Sequence, residues 1–280
     1  MNKQYTNTEL VNFAKEAALE ASKYIMTRMS LSEIKIDYKT SSKDLVTHYD
    51  IESEKIIKQT IFSKDNSFNF FGEEEFSKDF NANIPAYREK LSKGIWFIID
   101  PIDGTTNFSH GIPMFAISIG IMRDNTIVGG VIYDPNRDEM FEAEINCGAK
   151  LNNVKINTSP VNSTDRAVVL TSLRILSMQN NPSTINFYNE LINKTQSALV
   201  IGSAAIDLAW IACGRVESLI TINLAPWDIA AGVIIIKEAG GLVGDSNFDL
   251  FSKLFYASNG KIHGDITQIA KLLESPEKAS

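Results

Sequence analysis

The chain has 280 residues, 44% apolar and 22% charged, the proportions of an ordinary globular protein long enough to bury a substantial core. A net charge of −7 argues against a sequence-independent nucleic-acid binder, which needs a basic face. The two cysteines, Cys147 and Cys213, give neither a disulfide framework nor zinc-ligand spacing, and are expected as small buried hydrophobes. Met1–Tyr5 runs straight into an amphipathic pattern without the apolar stretch of a secretory signal. No apolar run approaches bilayer-spanning length, so a cytoplasmic protein without membrane association is expected.

Thr8 is placed to cap a first helix, whose apolar residues Leu10, Val11, Phe13, Ala14, Ala17, Ala18, Ala21, Tyr24 and Ile25 recur near a 3.6-residue period. Glu33–Asp37 alternates as a strand does, and Lys39–Lys43 reads as a polar loop. Leu45-Val46-Thr47 leads into a second helix with Ile51, Ile56, Ile57 and Ile61 as apolar positions. Asp50 lies in its first turn, where the helix dipole favours a carboxylate. Phe68–Phe71 is a short strand ending at Gly72-Glu73-Glu74-Glu75, and Asn81–Ser92 reads as a loop with a short surface helix.

Trp96–Ile99 is a bulky run of β-formers, predicted to stop at Asp100 because Pro101 cannot continue a central ladder. Ala116–Ile121, Thr126–Tyr133 and Glu139–Glu144 follow as an antiparallel meander joined by Asp124-Asn125 and Pro135-Asn136 turns. The polar stretch Asn152–Arg166 marks a boundary between an N-terminal α+β half, 1–152, and a C-terminal α/β half, 153–280. That second half alternates strand Ala167–Thr171, a helix near Ile185–Asn193, strand Ser197–Ile201, helix Ala204–Ala212 and strand Ser218–Ile222. Pro226 suits a helix start, which puts Asp228 in the first turn of a helix ending at Gly240-Gly241. A strand at Phe255–Ser258 and a helix at Ile266–Leu273 close the chain.

One stretch carries the chemistry. Asp100-Pro101-Ile102-Asp103-Gly104-Thr105-Thr106-Asn107-Phe108 sets two carboxylates at a strand end, then a turn glycine, then hydroxyl and N–H donors suited to an anion at a helix start. A calcium EF-hand is excluded, since its twelfth position must be glutamate and here is Gly111. Aspartyl-nucleophile phosphatases carry Asp-x-Asp, whereas two residues separate Asp100 from Asp103, which argues against a covalent aspartyl-phosphate. A metal-phosphate site fits the spacing.

The string resembles the first signature of the inositol monophosphatase family, the metal-dependent, lithium-sensitive sugar phosphatases. Pro226-Trp227-Asp228-Ile229-Ala230-Ala231-Gly232 resembles the second, and Gly72-Glu73-Glu74 and Lys39…Asp44-Leu45-Val46-Thr47…Asp50 agree, all in the family's order. The resemblance implies a layered αβαβα sandwich. It implies magnesium, two or three ions, held by Glu73, Asp100, the Ile102 carbonyl, Asp103 and Asp228. Asp50, Glu73 and Thr105 become the catalytic set, with Asp50 and Thr105 orienting a metal-activated water. Asp103, Gly104, Thr105, Ser203, Ala204 and Asp228 become substrate contacts, and Lys39 a contributor from a loop that closes near the metals. The implied reaction is phosphate monoester hydrolysis without a covalent intermediate, in a homodimer.

Substrate identity is less fixed. Inositol-preferring members commonly carry a glutamate seven residues before the second-signature aspartate, and this chain has Thr221 there. The resemblance puts myo-inositol 1-phosphate first. Fructose 1,6-bisphosphate, 3′-phosphoadenosine 5′-phosphate, NADP or histidinol phosphate are alternatives, and a regulatory binding role without catalysis is a further one. Of the histidines, His110 is placed either in the pocket or on the surface, and His48 and His263 have no companions at metal-ligand spacing.

Overall fold

The computed structural model describes residues 4–28, 36–38, 45–77, 80–172 and 182–274. Lys39, its loop through Lys43, and the beginning of the strand expected at Glu33–Asp37 lie outside the described residues.

Two sheets separate three helical layers. The first sheet has seven strands in the order β3 (Asn69–Gly72), β4 (Ile95–Asp103), β5 (Ala116–Arg123), β6 (Thr126–Asp134), β7 (Glu139–Glu144), β8 (Gly148–Leu151) and β9 (Val154–Lys155). It is antiparallel except at its edge, where β3 runs parallel to β4. A separate ribbon pairs β1 (Ile36–Tyr38) with β2 (Leu45–Thr47).

Strand alternation assigns the two faces of this sheet. Phe97, Ile99, Ile117, Ile119, Ile121 and Val131 face α1 (Asn7–Arg28) and α2 (His48–Phe62), meeting Leu10, Ala14, Ala18, Ala21, Ile57 and Ile61. Trp96, Ile98 and Ile132 face the middle layer. Each large apolar side chain buried this way contributes about 1.5–3 kcal/mol against exposure.

The middle layer holds α7 (Ala204–Ala212) and α8 (Pro226–Glu238). Every residue of α8 from Pro226 to Ile236 is buried, because sheets cover it on both sides. Gly120 and Gly130 let it lie close on the first sheet: a Cβ on Gly120 would stand 2.5 Å from the Ala230 Cβ. The second sheet runs β11 (Ser197–Leu199), β10 (Val168–Thr171), β12 (Ser218–Ile222), β14 (Leu254–Ser258), β13 (Leu242–Val243). Its first three members are parallel and β14 is antiparallel to β12. α6 (Pro182–Lys194) and α9 (His263–Ala270) close its outer face over Val169, Ile220 and Tyr256. The expected αβαβα layering is the architecture found.

Several readings need correction. α1 begins at Asn7, so Thr8 lies inside it, and Thr6 takes the capping place with its Oγ1 accepting the Glu9 N–H at 3.2 Å. Ile51 of α2 is exposed to solvent. β4 runs through Pro101 to Asp103, because a register shift between Asp100 and Asp103 accommodates a residue that cannot donate to a regular ladder. Phe80–Leu91 is a continuous helix, α4, and not a surface one: Phe80, Tyr87 and Leu91 are buried, with Phe80 packed on Trp227. Cys147 is exposed and Cys213 half-buried, so neither is a core residue. Short elements with too few residues for a periodic pattern went unread: β8, β9, β13 and α3 (Glu73–Phe76), while the helix start read at Thr105 is that of α5 (Thr105–Ser109).

Candidate metal and phosphate site

The parity of β4 is the first determinant. Asp100 shares the inward face with Trp96 and Ile98, so a regular strand would turn Asp103 to the opposite face. Between them the strand carries one extra residue. Asp100 pairs with Ser118 and Asp103 with Ala116, so three steps on β4 match two on β5. The bulge sends Ile102 into the outer core with Phe97 and Ile99, and returns Asp103 to the inner side. Asp100 Oδ1 also accepts the Ile102 N–H at 3.1 Å, which fixes its rotamer.

Asp228 arrives from α8. As the third helical residue it accepts the Ala225 N–H at 2.8 Å, and it stays buried beside the β4 pair. Asp100, Asp103 and Asp228 can place one carboxylate oxygen each within 4.8 Å of the others. Glu73, at the start of α3, adds a fourth carboxylate that hydrogen-bonds Asp100.

Asp103 also fastens α7. Ser203, the N-cap, donates its hydroxyl to Asp103 Oδ2, and the Ala205 N–H donates to the same oxygen at 2.6 Å. Burial pushes the Asp103 carboxyl up to about 6; the Ser203 hydroxyl and the Ala204 and Ala205 N–H groups restrain it, and the charge of Glu73 adds to it. Asp100 lies well above the usual carboxylate range, through burial first and then the charges of Glu73, Asp103 and Asp228. Buried carboxylates that repel one another this strongly need a counter-charge. An all-oxygen donor set with that deficit fits a hard divalent cation.

Beside the cluster sits a second pair. Asp50 is fully buried, its Oδ2 accepting the Thr47 N–H at 2.7 Å and the Thr47 hydroxyl at 2.6 Å. The arrangement is a capping box, and Thr47-x-x-Asp50 carries its sequence signature. With Oδ2 occupied, Oδ1 is left for Thr105, whose hydroxyl lies 3.0 Å from it and 3.0 Å from the Ile102 carbonyl. One proton serves both acceptors, and the carboxylate is the stronger. Gly104 makes the turn between Asp103 and Thr105 at φ +97°, where a Cβ would meet the Met114 carbonyl at 2.9 Å.

The sequence-derived residues Asp50, Glu73, Asp100, Ile102, Asp103, Gly104, Thr105, Ser203, Ala204 and Asp228 thus converge where β4, α2, α3, α7 and α8 meet. Two contributors escaped sequence reading. Asn107 is buried and donates both amide hydrogens, to the Met114 carbonyl at 2.8 Å and the Ile201 carbonyl at 2.9 Å, tying the Asp103 loop to the segment before α7. Asp207, one turn beyond Ser203, is a buried carboxyl raised well above the ordinary range by burial and then by Asp103. Asn107 stands inside the signature string, but its role depends on carbonyls at Met114 and Ile201 that the string does not contain; nothing local distinguishes Asp207. Of the histidines, His110 is exposed, with Nδ1 2.9 Å from the Thr106 carbonyl. His263 sits between the Ser258 hydroxyl and the Gly244 carbonyl.

No helix among the described residues is long and apolar enough to cross a membrane. A sequence model of the inositol monophosphatase family matches residues 6–275. The chain is 36% identical over 239 residues to a fructose-1,6-bisphosphatase/inositol-1-monophosphatase of Thermotoga maritima, covering 84% of this chain and 85% of that one. Its fold is similar to the extragenic suppressor protein suhB of Bartonella henselae, with a TM-score of 0.83, 31% identity, and 94% and 98% of the two chains covered. It is also similar to staphylococcal IMPase-II, solved with inositol monophosphate bound (TM-score 0.76, 25% identity, 94% and 97% covered) and with 2′AMP bound (0.78, 26%, 95% and 97%). Matched to the family model over nearly its whole length, and carrying a buried aspartate cluster that can hold a cation, this chain is a member of the inositol monophosphatase family and a phosphatase.

Proposed function

We propose that the protein is a magnesium-dependent hydrolase of small sugar phosphate monoesters, with myo-inositol 1-phosphate as its first substrate. The observation that carries the reading is the buried cluster of Asp100, Asp103 and Asp228 beside the Asp50–Thr105 pair. Glu73, the three aspartates and the Ile102 carbonyl would hold two or three Mg2+ ions. Such ions, when bound, neutralise the charge of a transferring phosphoryl group and acidify water. Asp50 and Thr105 orient the attacking water, the Thr105 hydroxyl being held toward Asp50 Oδ1. The N–H groups of Gly104 and Thr105, at the start of α5, receive phosphate oxygens. Ser203, Ala204 and Asp228 border the sugar, and Lys39 contributes from its loop. A cytoplasmic homodimer inhibited by lithium completes the reading.

Thr221 bears on substrate range. It is buried on the α7–α8 side of β12, and its hydroxyl donates to the Ser172 hydroxyl at 2.6 Å. The position therefore presents a hydroxyl pair, with no carboxylate to accept from a sugar hydroxyl or to repel a second anionic group. The relative named for fructose 1,6-bisphosphate and the neighbour solved with 2′AMP support including both chemistries in a test.

The test is phosphate release from inositol 1-phosphate, fructose 1,6-bisphosphate, 3′-phosphoadenosine 5′-phosphate, 2′AMP, NADP and histidinol phosphate, each with Mg2+ and with chelator. Magnesium-dependent turnover, greatest with inositol 1-phosphate, is expected. Metal-independent release would refute the chemistry, and a tenfold preference for a bisphosphate or nucleotide would refute the substrate.

A further inference from the structure

Gly72, which precedes Glu73, is a glycine that its own backbone does not require. Its φ of −104° and ψ of 148° are ordinary extended values. What forbids a side chain is Glu54: a Cβ on Gly72 would stand 2.4 Å from Glu54 Oε2 and 2.5 Å from its Cδ. Glu54 projects from α2, is 5% exposed, and accepts the Glu74 N–H with Oε2 at 2.8 Å. Its Oε1 meets Lys58 Nζ at 2.7 Å, and the same ammonium reaches Glu75 Oε2 at 2.7 Å.

A carboxylate buried this far is costly unless paired, and Lys58 pairs it. Burial opposes the charge on Lys58, yet Glu54 and Glu75 together hold its pKa above the usual value. The peptide on each side of Glu73 is therefore fixed, by contact at Gly72 and by a charge-assisted hydrogen bond at Glu74. Residues 50, 54 and 58 follow one another at helical turns along one face of α2. The first holds Thr105 and the second holds the Glu73 segment. One rigid helix thus sets the spacing between the two sides of the site.

We propose that Glu54, supported by Lys58, is a positioning residue that fixes the Glu73 carboxylate against Asp100 and thereby sets the affinity of the site for its divalent cation. The proposal rests on the reading of Glu73 as a metal ligand. It accounts for Gly72 as well: the glycine makes room for the Glu54 carboxylate.

The experiment measures Mg2+ and Mn2+ binding to the resting protein by calorimetry, and the metal dependence of turnover, in wild type, Glu73→Gln, Glu54→Ala, Glu54→Gln, Gly72→Ala and the Glu54→Ala/Gly72→Ala pair. Glu54→Ala is expected to weaken metal binding by about 10–100-fold, the usual cost of losing a residue that orients a ligand. The KM for substrate at saturating metal should stay within about threefold. Glu54→Gln, which keeps an acceptor for the Glu74 N–H, should bind metal closer to wild type than the alanine variant does. Gly72→Ala should be defective alone and add no further loss in the Glu54→Ala background, and that relief also tests the packing directly if Glu54→Ala is poorly stable. Wild-type metal affinity in Glu54→Ala, with Glu73→Gln impaired, overturns the positioning role while leaving the ligand reading intact. Wild-type affinity in Glu73→Gln overturns the ligand reading and the proposal with it.

Discussion

Asp103→Asn separates what this carboxylate does for the fold from what it does for the proposed chemistry. Burial raises the proton affinity of Asp103 from an ordinary 3.8 to about 6 even with Ser203 and Ala205 donating to it. The native state therefore binds a proton more readily than the unfolded chain, and stability falls as pH rises between the two values. Below about pH 4 both states are protonated and the group costs nothing; above about pH 6 its full cost is present. Roughly two decades of proton affinity correspond to about 3 kcal/mol of destabilisation in the metal-free protein. Asparagine resembles the protonated acid and keeps an acceptor for Ser203 and Ala205, so it should remove most of that cost. In chelator at pH 8, Asp103→Asn should melt roughly 5–10 °C above wild type for a chain of this size, and the gap should close near pH 4. Saturating Mg2+ should reverse the order, because cation binding stabilises only a site that has its ligands, and the variant should lose most turnover. Thermal unfolding followed by circular dichroism at both pH values, with chelator and with Mg2+, reads all of this. A metal-free variant less stable than wild type at pH 8 would refute the electrostatic argument.

Two more substitutions test the local geometry. Thr105→Ala removes the hydroxyl that Asp50 Oδ1 accepts and should lower kcat about 100-fold or more at nearly unchanged KM, with Thr105→Ser restoring most of it; equal rates in the two variants would show that the hydroxyl does not orient the nucleophile. Asn107→Ala leaves the Met114 and Ile201 carbonyls without their donor and should cost about 1–3 kcal/mol in urea unfolding, with weaker metal binding because the segment before α7 then depends on the Asp103 bonds to Ser203 and Ala205 alone; an unchanged midpoint would mean that those bonds suffice to hold the two loops together.

Much of this architecture was legible in the sequence because the deciding interactions lie within a few residues. The 3.6-residue pattern from Leu10 to Ile25 defines α1, and the alternation through Ile117, Ile119 and Ile121 places one face of β5 in a core. Pro226 and Asp228 mark the start of α8, and the boundaries read for α7 coincide with those observed. Asp100, Asp103 and the hydroxyl residues after Gly104 stand together in one short string, so the pairing of carboxylates with phosphate-sized donors can be read from neighbouring residues.

The tertiary structure decided which of those carboxylates meet. Asp100 and Asp103 are an odd number of residues apart, so strand periodicity alone puts them on opposite faces. Only pairing with β5, which skips a residue at Pro101, brings them to the same side. Asn107 joins segments 94 residues apart, and Glu54 excludes a side chain at Gly72 from a different helix. Helix starts and apolar periods are written in neighbouring residues and can be read there. Which way a side chain points at a bulge, and what lies opposite a missing Cβ, depend on partners that folding alone brings near.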